Sequence, residues 1–230
     1  MRISTFLVLA VLHAGCSSAP PTIETGPEAE VSYDGLHKVD NARFAQAWAD
    51  PDIDYSVYNK IMPGEATFEF RAVKKSSSAP LQRTSSSQTE YWIEDEDKQK
   101  LIDEVTAIFR EELAKSTRFT ITDQPGPDVL IIRGGLHDIV SQVPPEMVGR
   151  GDIYLDSVGE ATLIIEGVDS LSGETIFRAV ERRSAERPGG SGAPGSMMVA
   201  NTVTTWAEVR RLARRWATTL REGLDSIPRS

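Results

Sequence analysis

The chain offers few side chains that could do chemistry, and the first of them is its one cysteine. A lone thiol cannot close an internal disulfide or build a cysteine-cluster metal site. Cys16 ends the only uninterrupted apolar run, which makes it a candidate for modification rather than catalysis. The histidines are His13, His37 and His137. None shares zinc-ligand spacing with another or with an acid pair of the HExxH kind, so no metal is expected. His137 precedes Asp138, a combination that could orient an imidazole as a base. Adjacent strand residues point to opposite faces, so a structural role is the expected one. Gly190-Ser191-Gly192-Ala193-Pro194-Gly195 matches GxGxxG. That motif binds dinucleotides only as a tight strand-to-helix turn inside a βαβ unit. Here a polar stretch precedes it, the next helix starts later, and no further strand follows. A loop is expected, and no cofactor. No lysine follows the glycines as in a P-loop, and no GxSxG elbow supplies a nucleophile.

Two clusters could bind rather than react. Arg210, Arg211, Arg214 and Arg215, with Arg221, lie on the last predicted helix. They could meet an anionic partner such as phosphate, lipopolysaccharide or acidic lipid. Spacing of i, i+4 also lets them form a solvated face whose stems cover the core edge, which is the plainer expectation. Tyr33, Trp48, Tyr55 and Tyr58 could stack on glycan rings, although aromatics more often bury themselves in a core. A hydrolase would need a pair of carboxylates, and Asp138, Glu146, Asp152 and Asp156 are the candidates. Glycosidase chemistry would require two of them about 5–9.5 Å apart in a cleft.

The start of the chain has an address. Met1-Arg2 precedes an apolar run from Ile3 to Leu12. About ten apolar residues suit a secretory signal, whereas crossing a bilayer takes roughly twenty. Ala14-Gly15-Cys16 resembles the lipobox of bacterial lipoproteins, with His13 where that family usually carries leucine. The resemblance implies a signal peptide over residues 1–15 and acylation of Cys16. Ser17, rather than aspartate, then implies the outer membrane. At about 0.8 kcal/mol per buried CH₂, three acyl chains anchor far more firmly than one. The alternative is an ordinary secretory signal with an incidental cysteine.

Length and charge narrow the rest. The chain has 230 residues, 26% charged and 40% hydrophobic, which suits one globular domain with tails. A net charge of −9 argues against nucleic acid as a partner, since phosphate neutralisation needs a basic surface. Residues 16–32 hold prolines and glycine and are expected to be a tether. Residues 33–62 are rich in aromatics with no clear period, and turns with short pieces are expected. Thr67-Phe68-Glu69-Phe70-Arg71-Ala72-Val73 alternates like a strand. Residues 74–89 and 187–198 are polar, rich in serine or glycine, and expected as disordered loops. Glu94-Asp95-Glu96-Asp97 suits the positive end of a helix dipole, and Leu101, Ile102, Val105, Ile108, Phe109 and Leu113 follow at helical spacing. Strands are expected at residues 119–122, 129–140, 161–168 and 175–182, with a long loop over 141–159. A second helix over residues 202–225 carries Trp206, Val209, Leu212, Ala213, Trp216, Leu220 and Leu224 on one stripe. Consecutive strands joined by turns predict antiparallel pairing. The expectation is an α+β two-layer sandwich: a mainly antiparallel sheet, two amphipathic helices on one face, and the aromatic segment across the other.

Taken together, Tyr33-Asp34-Gly35-Leu36, Asp54-Tyr55-Ser56-Val57-Tyr58, Pro125-Gly126-Pro127-Asp128-Val129-Leu130 and Asp169-Ser170-Leu171-Ser172-Gly173-Glu174 resemble a known family. It is the group of bacterial lipoproteins classed as domain of unknown function three-three-one-three. The resemblance covers residues 33–226 and implies a lipid anchor and a periplasmic α+β domain, with no activity to carry over. The expected role is a non-catalytic, lipid-anchored protein on the periplasmic face of the outer membrane. Its partners would be membrane lipid through the anchor and an envelope protein, glycan or lipid. A periplasmic hydrolase of envelope polymers and an accessory subunit of a transport complex are the alternatives.

Overall fold

The computed structural model describes residues 19–73, 90–144, 154–186, 198–199 and 201–229. The signal peptide, Cys16, the loop at residues 74–89, residues 187–197 and the GxGxxG stretch lie outside the described residues. The two helices are α1, Asp95–Leu113, and α2, Thr202–Asp225. Asp95, Glu96 and Asp97 fill the first turn of α1, where they meet the positive end of its dipole. α2 starts at a reciprocal cap: the Asn201 side chain accepts from the Thr204 N–H, and the Thr204 hydroxyl accepts from the Asn201 N–H. Val105, Ile108 and Leu113 of α1 and Trp206, Ala213, Trp216, Ala217, Leu220 and Leu224 of α2 are buried.

These faces cover one side of an eight-stranded sheet of order β1-β2-β3-β9-β8-β6-β4-β5. The strands are β1 Thr22–Ile23, β2 His37–Asp40, β3 Gln46–Ala49, β4 Lys60–Phe70, β5 Thr120–Ile121, β6 Val129–Ser141, β8 Ser157–Asp169 and β9 Thr175–Glu186. Two further short strands, β7 Tyr154–Leu155 and β10 Met198–Val199, pair with each other. Period-2 alternation sends Ala161, Leu163 and Ile165 of β8 into the core beside Leu136 of β6 and Ala179 of β9. The result is the expected α+β sandwich, mostly antiparallel.

Three parts differ from expectation. β4 runs parallel to β5 and β6, because α1 lies between β4 and β6 in the chain and returns it to the same end of the sheet. The β8–β9 hairpin is longer at both ends than the alternation suggested, so β7 and the start of β8 occupy the expected long loop. The aromatic segment does not lie across the open face. Its strands β2 and β3 extend the sheet at the β9 edge, and Thr22–Ile23, inside the expected tether, pairs with Val39 and Asp40.

The open face is polar instead of covered. Arg133 meets Glu166 at 2.9 Å, Glu166 meets Arg178, and Arg178 meets Asp34 at 2.6 Å. A second chain links Glu90, Arg71, Asp138, Arg182 and Glu160. Each exposed pair contributes at most about 1 kcal/mol. Their effect is to let a sheet face meet water without a second layer.

Two carboxylates tie distant elements together. Asp169 closes the β8–β9 turn by accepting from the Leu171 and Ser172 N–H groups, and it accepts from the buried Tyr58 hydroxyl at 2.9 Å. Burial pushes its carboxyl up, but these donors outweigh burial and hold it below the usual range. Asp225 at the end of α2 accepts from the Ser116 hydroxyl and Arg118 N–H beyond α1. Burial opposes ionisation there too, and the donors again win. A carboxyl depressed in the folded state stabilises above its unfolded pKa of about 4 and loses that contribution as pH falls through the folded value. The midpoint of thermal unfolding is therefore expected to drop on acidification below about pH 4. Asp169→Asn and Asp225→Asn should flatten that drop while lowering the midpoint at neutral pH; an unchanged pH profile would refute the assignment.

Candidate functional site

The helices do not fill the space above the sheet. An apolar cavity of about 560 Å³ opens between the N-terminal halves of α1 and α2 and the adjoining ends of β6, β8 and β9. Leu101 and Val105 of α1 and Trp206, Val209 and Trp216 of α2 form its roof. Leu136, Ile139, Val140 and Val158 form its floor. Small residues line the wall where larger ones would fill the space: Ala161, Ala185 and Ala213. Its volume lies in the range of about 300–1,000 Å³ typical of small-molecule sites.

Most polar groups sit at its edge, where Glu94, Asp97, Asn201 and Thr202 line it. The Thr205 hydroxyl, also on the wall, is buried without a hydrogen-bond partner among the described residues. The Lys100 ammonium lies 4.2 Å from the Trp206 ring centre in a cation–π contact. Trp216 is fixed from behind: its indole N–H donates to Glu181 at 2.8 Å. Glu181 is buried on the core side of β9 and also accepts from Arg183 at 2.6 Å.

A second cavity of about 330 Å³ lies under the C-terminal half of α1, between Phe109 and Leu113 above and Phe68, Ile132 and Ile165 below. Val105 and Leu136, both buried, line both cavities and stand between them. Glu65 and Arg110 stand at the wall of the second cavity, both exposed and neither in an ion pair among the described residues.

The residues singled out from the sequence are dispersed. Arg210 makes a two-point contact with Glu104 at 2.7 Å, and Arg211 pairs with Glu208. Arg221 meets Asp225 at 3.2 Å, while Arg214 and Arg215 are exposed without an ion pair among the described residues, so three of the five arginines are already paired. The four aromatics do not form one surface. Tyr58 is 4% exposed in the core, because its ring fills the space beside Ile61 while its hydroxyl reaches Asp169. Burial, with that carboxylate beside it, pushes the Tyr58 hydroxyl far above its usual range. Tyr55 is half-buried and donates to the Ile176 carbonyl at 2.6 Å. Trp48 and Tyr33 remain towards the open face, Tyr33 lying against the Arg178 guanidinium.

His137 and Asp138 form no dyad. His137 Nδ1 lies 2.9 Å from Glu69, whereas Asp138 sits at φ 52° in a β-bulge and is clamped by Arg71 and Arg182. Those guanidiniums, Arg71 foremost, hold the Asp138 carboxyl below the usual range. Asp156 is exposed, and Glu146 and Asp152 lie outside the described residues, as does Cys16. The sequence reading placed Trp206, Val209, Leu212, Ala213 and Trp216 on one buried stripe but missed that they wall a void. The available signal was the run of small residues at core-facing positions.

A family model described as "Protein of unknown function (DUF3313)" matches residues 28–220. The chain belongs to the DUF3313 family. That match spans α1, all but the last turn of α2 and every strand of the main sheet except β1, so the cavity walls are part of the DUF3313 domain itself. No curated protein matches the chain. Among solved structures, the PelC dodecamer from Paraburkholderia phytofirmans is 10% identical, with 76% of this chain and 94% of that chain covered, at a TM-score of 0.35. Protein XCC0632 from Xanthomonas campestris is 11% identical, with 75% and 86% covered, at 0.37. A neuraminyllactose-binding hemagglutinin homolog from Helicobacter pylori is 10% identical, with 74% and 87% covered, at 0.31.

Proposed function

We propose that this DUF3313 chain is a lipid-anchored protein on the periplasmic face of the outer membrane, and that its domain binds an apolar ligand without transforming it. The observation that carries the binding role is the cavity of about 560 Å³, walled by Trp92, Trp206, Trp216 and aliphatic side chains, with few polar groups. Such a wall gains from excluding water at about 25 cal/mol per Å² of apolar surface covered. The anchor rests on the apolar run ending at Cys16 and its likeness to a lipobox. Anchor and cavity suit one task, since an apolar ligand in the envelope is met at a membrane surface.

The test uses the full chain in nanodiscs, with empty nanodiscs as blank. Bromobenzene, whose heavy atom quenches tryptophan on contact, is expected to quench emission saturably through Trp92, Trp206 and Trp216. Ala213→Phe, which occupies the void, should remove the saturable part while the circular dichroism spectrum stays native. Quenching that rises only linearly with bromobenzene in the native chain would overturn the binding role. Separately, Cys16→Ala should shift the protein from the membrane to the soluble fraction; retention on the membrane would overturn the anchor.

A further inference from the structure

The direction of β1 decides by which end of the domain the chain leaves towards Cys16. β1 runs antiparallel to β2, β2 to β3 and β3 to β9, so β1 runs against β9. β9 starts at the turn closed by Asp169 and ends beyond Ala185, on the cavity wall. Followed backwards from Thr22, the chain therefore heads towards the cavity end. Thr22 pairs with Asp40, and the register of β2 with β3 and of β3 with β9 carries that level to about Val180, half-way along β9. Twist between neighbouring strands tilts this path without reversing it. Residues 19–21 make no turn, and Pro20 and Pro21 hold the backbone extended. Residues 16–18 add a reach of at most about 11 Å, at about 3.3–3.6 Å each. From Val180 back to the start of β9 at Thr175 is about 17 Å. Even doubled back from Ala19, Cys16 cannot come level with the turn end. Extended, residues 16–21 cover about 20 Å, which matches the distance along β9 from Val180 to Glu186 at the cavity end.

Exposed apolar side chains stand at both ends, so exposure alone does not choose between them. Leu171, Ile121 and Val57 lie around the turn end, and Tyr154 and Val203 at the cavity end. The tether makes the second pair the one that meets a membrane. Tyr154 is 55% and Val203 79% exposed. Tyr154 belongs to β7, which leads into β8 beside the cavity and pairs with β10, a few residues ahead of α2. Val203 lies in the first turn of α2, next to the cavity wall at Thr205. Tyrosine suits a lipid–water boundary, where its ring meets carbon and its hydroxyl meets water. The charge at this end selects the lipid. Among the described residues, Glu94, Asp95, Glu96 and Asp97 outnumber Lys98 and Lys100, and Asp156 adds an exposed carboxylate. Lys98 already meets Asp95 at 2.7 Å, and Arg71 is taken up by Glu90 and Asp138. An anionic head group would be repelled there, whereas a zwitterionic one carries no net charge.

Resting on the anchor proposed above, we propose that the domain docks its cavity end on a zwitterionic phospholipid surface, with Tyr154 and Val203 at the lipid–water boundary. The turn end then points away from the membrane by up to about 40 Å, the length of β8 at about 3.3 Å per residue. The cavity lies at the docked end, so an apolar ligand passes between bilayer and cavity without crossing a water layer of that depth.

The test uses the full, acylated chain in phosphatidylcholine nanodiscs that contain spin-labelled phosphatidylcholine. Acylated Cys16 has no free thiol, so an introduced cysteine alone takes a nitrobenzoxadiazole label. Val203→Cys and Leu171→Cys alter exposed side chains at opposite ends, so the fold should persist. Quenching of the label at position 203 is expected to exceed that at position 171 several-fold. Equal quenching at the two positions, or stronger quenching at 171, would overturn the orientation. Tyr154→Ser added to Val203→Cys should lower the quenching at 203; no change would remove Tyr154 from the docking surface. Exchanging part of the phosphatidylcholine for phosphatidylglycerol should weaken quenching at 203, and unchanged or stronger quenching would overturn the choice of lipid. The intact mass of the same preparation separates the two readings. If acyl mass is present at Cys16 and the labels are quenched equally, this inference falls and the anchor stands; if acyl mass is absent, the anchor falls and this inference with it.

Discussion

Trp216→Ala is expected to destabilise the domain by about 3–5 kcal/mol, the usual cost of deleting a large aromatic side chain from a core. Trp216 is 1% exposed and sits between α2 and the sheet. Its indole is one of the larger surfaces that folding removes from water, of the order of 150–250 Å². Two local features keep the cost at the upper end of that range. The site already adjoins a void, so the removed volume adds to empty space instead of being closed by a small shift. Its N–H also donates to Glu181, and without it that buried carboxylate keeps only Arg183. Trp216→Phe separates the two contributions, since it retains most of the ring and loses the donor. It should cost about 1–3 kcal/mol, the penalty for an unsatisfied buried acceptor. Denaturant unfolding followed by circular dichroism measures both. Total stability of such a domain is about 5–15 kcal/mol, so the alanine variant should show a clearly lower midpoint. A loss below about 1 kcal/mol would mean that α2 does not rest on the sheet through this residue.

What the sequence revealed and what it hid divide along the range of the interactions involved. α2 was legible end to end because its signal is local, an amphipathic stripe from Trp206 to Leu224. The acids at Asp95, Glu96 and Asp97 marked the start of α1 in the same way. The β8–β9 turn was legible because Gly173 takes φ 76° and Asp169 accepts two turn amides, both properties of a short segment. The parallel pairing of β4 with β6 was not, because it depends on where α1 delivers the chain and not on either strand's own pattern. The short strands β2 and β3 carry too few residues for a period to show, and only the edge of β9 orders them. Core packing was the plainer expectation for Tyr58, but its partner was not legible, because Asp169, which accepts from its hydroxyl, lies far along the chain. The candidate site was the least legible part. Each wall residue is recognisable as core, but a void is the mismatch between helix and sheet surfaces, and no single segment encodes it.

The second large effect is expected at the paired glycines of β6. An ideal Cβ on Gly135 would lie 2.1 Å from the Thr67 carbonyl oxygen of β4, and one on Gly134 would lie 2.2 Å from the Ile164 carbonyl oxygen of β8. Both obstacles are backbone atoms of neighbouring strands, so neither can turn aside as a side chain would. Gly135→Ala can be accommodated only by parting β4 from β6, and Gly134→Ala only by parting β6 from β8. Overpacking of this kind costs typically 1–3 kcal/mol and more when backbone must move, so about 3 kcal/mol is expected for each. Gly167 provides the internal comparison. Its Cβ would meet the Phe177 ring at 2.0 Å, a closer contact, but the obstacle is a side chain with its own rotamers. Gly167→Ala should therefore cost less, about 1 kcal/mol, although its overlap is the largest of the three. Urea unfolding of the three alanine variants gives the order directly. If Gly167→Ala proved the most damaging, contact distance alone would govern the outcome, and the close approach of β4 and β8 to β6 would not be a constraint on the fold. The same glycines line the second cavity, so their requirement for hydrogen also sets the floor on which α1 rides.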